Sequence, residues 1–179
     1  MRKKISIFII IFLLVIFQMS FLPNFFQERA IPDLVLIILI FMGARRGFGE
    51  VWKMAIAAGL LMDIFSFFPV GTNIASFTFV VLVSSFLARR FLVTQTLWRF
   101  FILIFLAALG TALNDLAISS LIEASRIFSE PAGAGVNFWS NDILVKMLNN
   151  SILFAIIYWP LLKFEKLRSI YGEKLILKK

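Results

Sequence analysis

The sequence predicts an all-α integral membrane protein, a bundle of six transmembrane helices in a single domain spanning residues 1–179. Three observations predict it. Long apolar runs alternate with short basic connectors along all 179 residues. The chain is 61% hydrophobic and 16% charged, with a mean hydropathy of +0.96, whereas soluble domains are about 45–50% apolar and about 25% charged. The basic residues gather at the ends of the runs rather than on one face. A bilayer core about 30 Å thick takes about 20 apolar helical residues to cross. Backbone in hydrocarbon must satisfy its own hydrogen bonds, which makes each run a helix.

The first run, 5–22, follows Met1-Arg2-Lys3-Lys4. That start looks like a signal-peptide n-region. Residues 18–27 are bulky and carry no A-x-A-like cleavage site, so the run reads as an uncleaved anchor. The second run, 31–44, is the shortest. As a helix it measures about 21 Å, less than the bilayer core. It either thins the bilayer locally or continues through Gly43-Ala44-Arg45-Arg46 with the arginines snorkelling. The third and fourth runs, 51–68 and 71–88, are separated by Pro69 and Gly71, a tight turn. The fifth is 97–122, and the sixth, 143–164, contains Pro160, a kink candidate. Residues 123–141 form the longest connection, with a flexible Pro131-Ala132-Gly133-Ala134-Gly135 stretch. The tail 165–179 is basic and suits either an amphipathic helix on the membrane surface or a solvated end.

Charge orients the bundle. With the N-terminus in the cytoplasm, Arg2, Lys3, Lys4, Arg45, Arg46, Lys53, Arg89, Arg90, Arg99, Lys163, Lys166, Arg168, Lys174, Lys178 and Lys179 all lie inside. Only Arg29, Arg126 and Lys146 lie outside. The positive-inside rule therefore expects both termini in the cytoplasm and an even number of spans. A net charge of +8 placed this way serves topology beside an anionic leaflet rather than nucleic-acid binding.

There is no cysteine and no histidine. That removes thiol chemistry, the commonest general base and the commonest metal ligand. No catalytic, metal or cofactor residues are expected, and the chain reads as non-enzymatic.

Polar residues within the spans form one expected layer in the outer half. Asp33 opens span two, where Pro32 at the first helical position and an acid at the positive dipole end make ordinary helix-start chemistry. Asp63 lies about five residues, or about 7–8 Å, from the outer end of span three and stands evenly between an interhelical hydrogen bond and a site residue. Thr72 and Asn73 start span four. Asn114 and Asp115 occupy span five, while Asp142, Lys146, Asn149 and Asn150 lie in span six. Facing lipid would cost a carboxylate several kcal/mol, so these groups are expected to face one another as a pocket or a helix–helix seam. Asp63 or Asp115 is the expected partner of Lys146. Two stripes of small then polar residues, Ala55/Gly59/Asp63 and Gly110/Asn114, mark close packing. Trp52, Trp98, Trp139, Tyr158 and Trp159 fall near the expected interfaces, as belt residues do.

Three motifs carry a resemblance. Pro32-Asp33-Leu34 opens a short second span, Gly59-Leu60-Leu61-Met62-Asp63 lies in the third, and Gly71-Thr72-Asn73-Ile74-Ala75 opens the fourth. Together with the length and the basic ends, they resemble the MreD family of bacterial rod-shape-determining membrane proteins. Gly59, Asp63, Gly71 and Asn73 are its motif positions here. The resemblance implies a scaffold of the cell-elongation machinery in the bacterial inner membrane. Its implied partners are the single-pass periplasmic coiled-coil protein MreC and, indirectly, RodA with a class B penicillin-binding transpeptidase. It also implies a fold similar to the substrate-binding membrane subunits of energy-coupling-factor transporters, which supplies the alternative function. Gly43, Ala44, Ala55, Ala57 and Ala58, toward the cytoplasmic side, would suit a coupling surface for such a transporter. An enzyme using Asp63 and Asp115 on a lipid-linked substrate is a distant third reading, with no phosphate-cradling loop or metal cluster to accompany it.

Overall fold

The computed structural model describes residues 2–26, 31–66, 69–91, 96–127 and 141–176. Among these residues every regular element is a helix. The helices are α1 (Arg2–Ser20), α2 (Leu34–Arg46), α3 (Phe48–Phe65), α4 (Thr72–Phe91), α5 (Thr96–Ile127) and α6 (Asn141–Ile176), with a short 3₁₀ turn at Leu22–Asn24. Three segments, Thr72–Phe91, Trp98–Ala124 and Ile143–Lys163, are long and apolar enough to cross a membrane. By length α3 also suffices, but it carries Glu50, Lys53 and Asp63. The expected loop at 131–135 and Trp139 lie outside the described residues.

The shortest helix is the central one. α2 packs against α1, α3, α4, α5 and α6. Its buried residues, Leu34, Val35, Leu36, Ile37, Leu39, Ile40, Phe41 and Gly43, lie on every side of the helix. A helix that is apolar all round belongs inside a bundle. This resolves the question of its length. α2 measures about 20 Å, and its neighbours are other helices, so it has no lipid thickness to match. It begins three residues later than the sequence suggested and runs on to Arg46. Gly47 then turns the chain straight into α3 with φ +84°, a left-handed conformation that favours glycine. A β-carbon there would also meet the Arg89 guanidinium at 2.8 Å.

Antiparallel neighbours give the bundle two poles. One holds Arg45 and Arg46 at the end of α2, Arg89 and Arg90 at the end of α4, Lys53 near the start of α3 and Arg99 near the start of α5. Nearby, Phe41, Phe100, Phe154 and Tyr158 form an aromatic cluster, with the Phe100 and Tyr158 rings 5.0 Å apart. Tyr158 therefore faces the bundle core. Trp98 and Trp159 are exposed. α6 continues unbroken through Pro160 to Ile176, so the start of the basic tail extends the last helix.

Candidate functional site

The opposite pole holds the polar residues, and it is built from the needs of two helix starts. The first N–H groups of any helix lack intrahelical acceptors. For α2 that need falls inside the bundle, where water does not reach. Asp33 is its N-cap, accepting from Leu36 N at 2.9 Å. Pro32 precedes the cap, so the expected order of proline and acid within the first turn is corrected by one position. Val35 N donates to Gln18 Oε1 at 2.9 Å, and Gln18 Nε2 donates to Asp33 Oδ1 at 3.1 Å. Asp33 N donates to Asn150 Oδ1 at 2.7 Å. Asn150 Nδ2 then donates to Thr111 Oγ1 at 2.8 Å, and Thr111 Oγ1 donates to Ala107 O. The backbone donors fix both amide orientations, because each amide oxygen has to face an N–H. All four side chains are buried. One chain of hydrogen bonds thus joins α1, α2, α6 and α5.

The second helix start belongs to α4. Its turn contains Gly71 with φ +103°, a residue with no side chain to cap with. Asp63 supplies the cap from the end of α3. Its Oδ2 accepts from Gly71 N at 2.8 Å, and its Oδ1 accepts from Asn73 N at 2.8 Å and Asn73 Nδ2 at 2.9 Å. Ile74 N adds a longer bond to Oδ2. A carboxylate at this position also faces the positive end of the helix dipole. Asp63 stands eight residues before the Gly71 amide along the sequence and within hydrogen-bond reach of it in space. Gly59, one turn earlier, lets the α4 backbone approach. A β-carbon at 59 would lie 2.5 Å from Ile74 Cα.

One turn of α5 ties the layer together. Thr111 faces Asn150, Asn114 Oδ1 accepts from Ser76 Oγ on α4, and Asp115 Oδ1 accepts from Lys146 Nζ on α6 at 2.6 Å. Asp115 is therefore the partner of Lys146, and Asp63 is not. Asn149, half-buried beside Asn150 in α6, completes the predicted set. Asp142 starts the same helix, and its side chain lies outside the described residues.

The polar residues thus meet in several interhelical contacts and form seams. Their oxygens accept from backbone amides, side-chain amides, the Ser76 hydroxyl and the Lys146 ammonium, which suits locking helix ends together. Among the described residues no cluster of three or more acids or other metal-binding side chains is present. Sequence reasoning missed Gln18, Ser76 and Thr111. Gln18 had a usable signal, as a carboxamide inside an otherwise apolar run. Ser76 and Thr111 had none, because a hydroxyl in a helix can bond its own backbone, as Thr111 does.

Two predictions follow from this geometry. Gln18→Leu removes the acceptor of Val35 N and a donor to Asp33 together. It is expected to destabilise the fold by about 2 kcal/mol, the cost of a buried unpaired donor, measured by unfolding in detergent. Gln18→Glu keeps the acceptor but brings a second acid against Asp33, so it is not expected to rescue. For Asp115 and Lys146, a double-mutant cycle with Asp115→Asn and Lys146→Met is expected to give a coupling of about 1–2 kcal/mol. Strict additivity would show that the contact contributes nothing.

Comparison with family models, with curated proteins and with solved structures finds no match for this chain.

Proposed function

We propose that the chain is a six-pass scaffold of the MreD kind in the bacterial cytoplasmic membrane, with both termini in the cytoplasm. On this reading it holds MreC and, through it, the RodA and penicillin-binding transpeptidase pair. One observation carries the reading. The motif residues behind the resemblance, Asp33, Gly59, Asp63, Gly71 and Asn73, are the ones that cap α2 and α4 and bring α3 onto α4. Spaced motifs that serve as structural parts are what a shared fold requires. The three helices that can cross a membrane and the basic pole support the placement. The transporter alternative gains less. Gly43, Ala55 and Ala58, part of its coupling surface, are buried within the bundle, and Gly43 packs on Ser85 and Val81 of α4.

Extraction of membranes in mild detergent, followed by capture of this chain through an affinity tag, tests the proposal. MreC from the same cell is expected to co-purify. Its clean absence from the captured material, with both proteins present in the starting membranes, would refute the scaffold. A small polar ligand retained through purification would favour the transporter instead.

A further inference from the structure

We draw no further inference here: the strongest candidate, the open apolar face of α6 formed by Leu148, Ile152, Ile156 and Trp159, carries none because nothing in the structure shows what covers it.

Discussion

Gly59→Ala is expected to cost about 3 kcal/mol, at the upper end of what overpacking by small groups causes. The added β-carbon would stand 2.5 Å from Ile74 Cα, 2.6 Å from Ile74 N and 2.8 Å from Asn73 C. All three are backbone atoms, and backbone in the first turn of a helix cannot rotate aside. α3 and α4 would have to separate. Separation pulls Asp63 away from Gly71 N and Asn73 N, so the clash and the lost cap add together. Gly110→Ala is the control. Its β-carbon would run into Ile40 Cδ1, the far end of a flexible side chain, and would touch Val80 Cγ1 at 3.2 Å. A rotamer change relieves most of that, so about 1 kcal/mol is expected. Unfolding in detergent, together with the amount of each variant in the membrane, measures both. Equal stability of the two variants would show that the α3–α4 contact is looser than the structure has it.

Asp63→Leu is expected to be about as damaging, at about 4 kcal/mol. It strands the N–H groups of Gly71 and Asn73 and leaves the Asn73 amide only its longer bond to Ser66 Oγ. An unpaired buried donor costs about 1–3 kcal/mol. Asp63→Asn is expected to fall between leucine and the wild type, at about 2 kcal/mol. Both carboxylate oxygens accept backbone N–H groups, and an asparagine has only one oxygen to offer. Its amide nitrogen would confront Gly71 N or Asn73 N, donor against donor. The charge facing the helix dipole is lost as well. The informative result is the order aspartate, asparagine, leucine in membrane abundance and unfolding midpoint. Leucine at the wild-type level would remove the cap from the account of this fold.

These two positions also show how far the sequence could be read. The stripe Ala55, Gly59, Asp63 was legible as a close-packed face with a polar group at its end. That the face receives the start of the next helix was not. The turn through Pro69 and Gly71 brings residues 71–74 back over Asp63, and this depends on the path of the backbone rather than on spacing within a helix. Lys146 had two candidate partners, and only the register of α5 against α6 separates them. Gln18 was overlooked because its role depends on Asp33, 15 residues away, and on Val35 N, which only a buried helix start leaves in need of an acceptor.

The sequence by itself determined the helical character of the described residues and the order of the apolar segments, because hydrophobic length is a local property. It also placed the polar groups toward one pole, since burying an isolated charge in apolar surroundings is costly wherever it occurs. Only the tertiary structure decided that the shortest helix stands in the middle, that Tyr158 faces inward, and that Asp63 caps a helix other than its own. Lipid and protein interior are about equally apolar, so hydropathy cannot tell a residue facing one from a residue facing the other. That choice belongs to packing, which brings together residues far apart in the chain.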